Sequence, residues 1–379
     1  MKSVSKILNS NISQQLFYLL VLVLFLRIDL VFENNTPTGG DMGAHIVAID
    51  TFIKDFMPNL QINGWSNDWF GGYPLYYFYF PLPAIITYFL NIVFSFGIAF
   101  KIMVVMSTIL VVYSIEKLMR KTSNQISIYG ATAGLFYVFT ESFTIYGGNL
   151  ASTLAGQFSF AYSLAFANLS IFYLIKSENN FRFTISSIFL ALCLLSHLIP
   201  FIIYSPIFAF YWLSKKQNLN QRVLSIFIFL ALVSRWSVSL LMNLEYTTNM
   251  SYTPFSRLDD LIKKDILPII FILIGLLIAK HKNLIKNKTL NLFDFYIVSS
   301  SILLYFYVPE GALWNGRLVP FFNLGIIFLF FKAVEIFIDD INLYQQGVNV
   351  LTGLFLGGTI YCLYIFCLLY TSPSPRDSS

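Results

Sequence analysis

Leu16-Phe-Tyr-Leu-Leu-Val-Leu-Val-Leu-Phe-Leu-Arg27-Ile-Asp29-Leu-Val-Phe32 is an apolar run broken only by one Arg and one Asp near its end. As a helix it is about 25 Å long, close to the thickness of a bilayer's hydrocarbon core. Lys2 and Lys6 precede it, and no small-residue cleavage site follows, so it reads as an uncleaved first membrane span over 15–32. Further apolar runs at 102–116, 127–145, 158–175, 183–197, 199–213, 222–241, 266–280, 293–308, 319–337 and 348–370 repeat the pattern. They are too long for barrel strands, and each helix satisfies its own backbone in lipid. The expected fold is an all-α polytopic transmembrane bundle of about 11 spans.

Composition agrees. Of 379 residues, 57% are hydrophobic and 11% charged, against about 25% charged in soluble domains. Mean hydropathy is +0.69. The net charge of +5 lies in short clusters between spans, so it argues for membrane topology and against a nucleic-acid partner. Cys193, Cys362 and Cys367 all sit in apolar runs, with neither disulfide nor metal spacing.

Pro81–Phe100 is apolar enough to cross or to lie in the interface. If it does not cross, 14 Lys and Arg fall on the side of the N-terminus and 6 on the other, as the positive-inside rule asks. An interfacial or re-entrant helix is therefore expected. The long loops, 33–101, 146–157, 245–265 and 308–317, then all face away from the cytoplasm. Residues 1–370 read as one membrane domain. Thr371-Ser-Pro-Ser-Pro-Arg-Asp-Ser-Ser379 has linker composition. It reads as a non-native tail, with the native chain expected to continue past about residue 368.

Chemistry is expected in the first outer loop. Gly39-Gly40 breaks the chain direction, and Thr38 or Asp41 can cap a following helix. If 41–50 is helical, Asp41 and His45 share a face. Such a pair can hold a divalent cation (Mg²⁺ or Mn²⁺), act as acid and base, or simply cap and hydrogen-bond. Then comes Gly64-Trp65-Ser-Asn-Asp68-Trp69-Phe70-Gly71-Gly72-Tyr73-Pro74, and Tyr76 to Pro81 is nearly all aromatic. A membrane-interface belt explains much of this. Rings beside a carboxylate also suit a sugar, which makes Trp65, Asp68, Trp69 and Tyr73 substrate-binding candidates.

Charges within apolar runs are costly, hence site candidates. Arg27 and Asp29 can pair locally, Glu141 lies toward the outer end of its span, and Arg235 is mid-span. Arg317, in Trp314-Asn315-Gly316-Arg317, stands just before a span, where a guanidinium can grip a phosphate or merely snorkel. His197 sits on a thin hairpin that can face the same place, whereas His281 falls in a basic cytoplasmic break. Asn149 to Gln157 is a small polar outer turn suited to a ligand cavity or to close helix packing.

The order of Gly39-Gly40-Asp41, His45, Gly64-Trp65, Asp68, Gly72-Tyr73-Pro74-Leu75 and Phe80-Pro81-Leu82-Pro83 resembles bacterial and archaeal membrane proteins of the GT-C glycosyltransferase superfamily. More narrowly it resembles the group with a 6-pyruvoyl-tetrahydropterin-synthase-related membrane domain. Asn149 to Gln157 and Gly316 to Phe321 resemble further blocks of that group. The pterin name implies no activity here, because three histidines on separate segments do not make that enzyme's zinc site. The resemblance implies a catalytic first outer loop and a polyprenyl-phosphate-linked sugar donor. It makes Asp41 the base or metal ligand; relatives often carry Glu where this chain has Gln157. The expected activity is sugar transfer to a hydroxyl on the outer face of a prokaryotic membrane. Asp41 and His45 would be catalytic, with Asp68 on the acceptor or sugar and Arg317 on the donor phosphate. The rival classes are a transporter or flippase, whose expected inverted repeats are not evident, and a non-catalytic envelope scaffold.

Overall fold

The computed structural model describes residues 23, 26–68, 71–120, 128–140, 145–176, 180–248, 253–262, 266–267, 269–270, 273–274, 292–309 and 313–340. Most of the first and last expected spans, much of 266–280, and Trp69, Glu141, His281, Cys362 and Cys367 lie outside them. Among the described residues, a single helical turn (Ile28–Val31) is followed by α1 (Met42–Thr51), a hairpin of β1 (Gly64–Ser66) and β2 (Tyr73–Leu75), and α2 (Leu82–Asn91). The helices α3 (Phe96–Met119), α4 (Ile128–Phe139), α5 (Phe158–Ile175), α6 (Asn180–Ser196) and α7 (Leu198–Ser214) follow. The last are α8 (Leu219–Met242), α9 (Leu292–Tyr307) and α10 (Val319–Asp340).

The polytopic helical membrane architecture is as expected. Among the described residues, four helical stretches are long and apolar enough to cross a bilayer: 96–119, 150–175, 219–242 and 315–334. Shorter apolar helices, including α6, α7 and α9, accompany them. The axis is α5, buried along almost its whole length and packed by α3, α6 and α7. α4 joins α3 to α10. Gly130 and Gly134, four apart, let α4 lie against α3: a Cβ on Gly134 would stand 3.0 Å from the Cα of Val112. On α8 only Ser225, Val233 and Trp236 are buried, and most of its Leu, Ile and Phe side chains face outward. A stripe of that size is untenable in water and ordinary in lipid.

Several boundaries differ from the sequence reading. The stretch 81–100 is not one helix. α2 has 10 residues, about 15 Å of rise, half the hydrocarbon thickness. After a turn, Ser95 stands at the N-cap position and α3 begins at Phe96 rather than 102, so the loop ends sooner than Lys101. The helix α4 ends at Phe139, short of 145. Lys101, counted above as an outer charge, is buried. Its Nζ donates to the carbonyls of Leu30 and Glu33, at 2.7 and 2.6 Å, and to Asn35 Oδ1 at 2.8 Å. It thus collects the end carbonyls of the first span and binds them to α3. Arg27 and Asp29 do pair, at 2.7 Å and exposed.

A buried charge pair escaped sequence reading. Lys332 Nζ on α10 donates to both carboxylate oxygens of Asp294 on α9, each at 2.7 Å. Removing one partner strands a buried charge, whereas replacing both with apolar groups does not. Lys332→Met is expected to cost about 3–5 kcal/mol, read as a large drop in melting temperature in lipid nanodiscs. The double variant Asp294→Leu/Lys332→Met is expected to recover most of it.

Candidate functional site

The site is built where two glycine-rich turns meet. Gly39 (φ 103) and Gly40 (φ 50) swing the chain into α1. Asp41 occupies the N-cap position, yet its side chain caps nothing. Its N–H donates instead to the carbonyl of Ala155 at 3.0 Å. Opposite, residues 149–157 make a short turn and then a wide one (Thr153–Gln157), kinked at Gly156 (φ 106), before α5 begins. A Cβ on Gly40 would fall 2.3 Å from the Ala155 carbonyl oxygen, and one on Gly156 would fall 2.9 Å from Asp41 Cβ. The two backbones touch at a distance that admits no side chain on either turn.

This contact sets Gln157 between a carboxylate and a guanidinium. Its Nε2 donates to Asp41 Oδ2 at 3.3 Å, and its Oε1 accepts from Arg317 Nη1 at 2.8 Å. An amide can serve both neighbours at once; an ionised carboxylate would meet Asp41 with like charge and no donor. Arg317 Nη1 also donates to the carbonyls of Ile145 and Tyr146, at 3.0 and 3.1 Å. The turn that carries Arg317 is held by buried Asn315. Its Nδ2 donates to the carbonyls of Phe255 and Tyr305, and its Oδ1 accepts the Phe255 N–H at 2.9 Å.

Three further groups close around the cluster. The His45 ring lies 4.8 Å from that of Phe158 and 5.5 Å from that of Tyr79. Burial pushes its pKa down; the charge of Asp41 and the backbone of Gly156 oppose this without reversing it. His45 is therefore a neutral imidazole near neutral pH. Burial pushes Tyr79 up to about 12, and Arg317 and Asp41 both act on it electrostatically. His197 stacks on Phe80 at 4.8 Å, and its Nδ1 accepts the Ile199 N–H at 3.2 Å, capping α7. Burial first, then the charge of Arg317, holds it down at about 3. A ring that accepts at Nδ1 carries its proton on Nε2.

Asp41, His45, Gln157, His197 and Arg317, named from sequence, thus gather at one place, and Tyr79 joins them. The remaining candidates do not gather there. Asp68 accepts from Thr51 Oγ1 at 2.8 Å and from Ser66 Oγ at 3.3 Å. Thr51 ends the 10-residue α1 that Asp41 begins, so Asp68 stands about 15 Å along the helix from Asp41. Trp65 and Tyr73 belong to the hairpin, opposite Pro74 and Ser66. Asn149 is buried; it caps the next turn through Ser152 N–H and donates to the Thr140 carbonyl, so it shapes the loop. Arg235 Nη2 donates to the Leu60 carbonyl at 2.6 Å and steadies the first loop. Among the described residues, no three His, Cys, Asp or Glu side chains group as a metal site; Asp41 and His45 are two.

No family model matches the chain, and no curated protein matches it. Its fold is similar to those of several solved structures, two of which follow. One is ArnT from Cupriavidus metallidurans in the apo state, at TM-score 0.51 and 11% identity over 88% of this chain. The other is the arabinofuranosyltransferase AftD from Mycobacteria, at TM-score 0.55 and 12% identity over 84% of this chain. The chain spans 60% of the first and 24% of the second. The likeness is one of fold, a polytopic helical membrane architecture.

Two outcomes test this geometry. Gly156→Ala meets both a positive φ and the Asp41 Cβ, and is expected to lower the melting temperature and release the first loop to limited proteolysis. Below pH 6.5 an unfolded His197 takes up a proton that the folded one refuses, so stability falls with pH. At pH 5 the loss is about 2 kcal/mol relative to pH 7. His197→Asn keeps an acceptor for Ile199 N–H and is expected to shrink that pH 7-to-5 difference in melting temperature.

Proposed function

We propose that the chain is a membrane glycosyltransferase. It moves a sugar from a polyprenyl-phosphate donor to an acceptor hydroxyl on the extracytoplasmic face of a prokaryotic membrane. The observation that carries this reading is the Asp41–Gln157–Arg317 relay, which holds an exposed carboxylate and a guanidinium in fixed relation at a loop junction. The likeness in fold to ArnT and AftD supports it. The narrower kinship with the 6-pyruvoyl-tetrahydropterin-synthase-related membrane group rests on the Gly39–His45, Asn149–Gln157 and Gly316–Phe321 blocks.

In the proposed step the acceptor oxygen attacks the anomeric carbon and its proton passes to Asp41. The bond from that carbon to the phosphate oxygen breaks, and the departing phosphate takes the electron pair beside Arg317. Neutral His45 orients the attacking hydroxyl without adding positive charge. A divalent cation, Mg²⁺ or Mn²⁺, would be held by Asp41 with His45 and would neutralise donor phosphate charge. In that case Asp41 is its ligand rather than the base. The gathering of these residues supports transfer over a passive envelope scaffold.

Asp41→Asn is expected to lower transfer from lipid-linked sugars in proteoliposomes at least about 100-fold; wild-type activity in this variant removes Asp41 from the mechanism. Arg317→Lys keeps the charge but loses the planar fork, with an expected rise in donor KM of about tenfold. EDTA separates the two roles of Asp41: inactivation reversed by Mn²⁺ assigns the metal role, and an unchanged rate assigns the base. Movement of a lipid-linked substrate without product would return the chain to the transporter class.

A further inference from the structure

A second feature lies on the same loop. The hairpin and the end of α8 form a half-open groove of about 390 Å³, lined by Trp65, Pro74, Tyr77, Phe78, Asn243 and Tyr246. That volume falls in the range of small-molecule pockets.

Its aromatic faces are built, not incidental. The Trp65 indole rests on Gly72, where a Cβ would stand 2.2 Å from the ring and where φ is +137. One face is thus seated on backbone, while the side chain stays 62% exposed. Tyr246 is 71% exposed. The two walls are tied together, since Asn63 Nδ2 donates to Ser239 Oγ at 2.7 Å. Asn243 Nδ2 donates to the Ser239 carbonyl at 2.7 Å, which aims the amide. Asn243, Tyr77 and Tyr246 bring an amide and two phenol hydroxyls to the lining. Asn243 and Tyr246 follow the end of α8, beyond its apolar run.

We propose that this groove is a saccharide subsite, in which a sugar ring stacks on Trp65 and Tyr246 and bonds its edge hydroxyls to Asn243 and Tyr77. Pyranose and furanose rings present C–H faces to aromatic rings and hydroxyls at their rims, which matches this lining. A lipid chain would leave the amide and hydroxyls unmatched. The next residue after Tyr77-Phe78 is Tyr79, whose ring lies 5.5 Å from His45 and whose carbonyl accepts Trp236 Nε1–H at 2.8 Å. One short strap therefore joins the groove to the Asp41 cluster, and the sugar held there is part of the acceptor. The acceptor role rests on the glycosyl-transfer reading; saccharide binding does not.

The test is saturation-transfer NMR on the full chain in lipid nanodiscs free of glycoside detergent. The probes are methyl glycosides of glucose, mannose and arabinose, with hexyl phosphate as the lipid-like probe. At least one glycoside is expected to receive saturation at its ring C–H protons. Affinity is expected to fall about tenfold in Trp65→Ala and in Tyr246→Ala. It is expected to survive largely in Trp65→Phe, and to be unchanged in Asp41→Asn. Melting curves select variants that fold, and Tyr246→Ala stands in if Trp65→Ala does not. Silence from every glycoside, glycoside binding indifferent to both alanine variants, or binding of hexyl phosphate alone overturns the proposal. Transfer that persists without glycoside binding overturns it alone. Glycoside binding in a chain that transfers nothing overturns the enzymatic reading and the acceptor role, and leaves the saccharide subsite.

Discussion

The approach of two bare backbones, Gly40-Asp41 against Ala155-Gly156, is the constraint on which the rest of the site depends. One amide hydrogen bond and two missing Cβ atoms bring the first outer loop onto the kinked entry of α5. α5 is the most deeply packed helix of the bundle, so the loop inherits its rigidity. Everything polar nearby is placed as a consequence. Gln157 follows the kink and reaches both ways, Asp41 begins α1, and Arg317 arrives on a turn pinned by Asn315. Wide turns of this kind inside a helix are often found where function is built.

The electrostatics follow from packing. His45 and His197 are both kept neutral, chiefly by burial against aromatic rings, so neither competes with Arg317 for an anion. A positive group beside uncharged, poorly polarisable walls keeps more of its field than one in water. Gln157 spares the site a third charge. A Glu at this position would pair with the cation; here one amide is divided between cation and anion.

How much was legible beforehand depended on the range of the cause. Helical spans come from local apolar runs, and the loop residues Asp41, His45, Gln157 and Arg317 stood out by type and setting. What sequence reading lost were partners far away in the chain. Lys101 looked like a surface charge because its three acceptors lie about seventy residues earlier. Arg235 looked like a mid-membrane charge because its acceptor is the carbonyl of Leu60. Asp294 and Lys332 drew no notice, each being single in its own run. Asp68 was grouped with Asp41 because both stand in one loop, yet a rigid helix holds them apart. Asn149 looked like a ligand because polar residues in outer turns do both jobs, and here the turn itself consumes its amide.

The dependence of the loop on α8 has a mechanical side. Trp236, Arg235 and Ser239 are bonded to Tyr79, Leu60 and Asn63, so the least buried of the four described long spans carries three tethers to the loop. Hydrophobic mismatch with the bilayer acts on such a helix first, through tilt. A thicker or thinner membrane therefore pulls on the strap whose Tyr79 ring lies against His45. The lipid surrounding the protein is in this sense a spring attached to the Asp41 cluster.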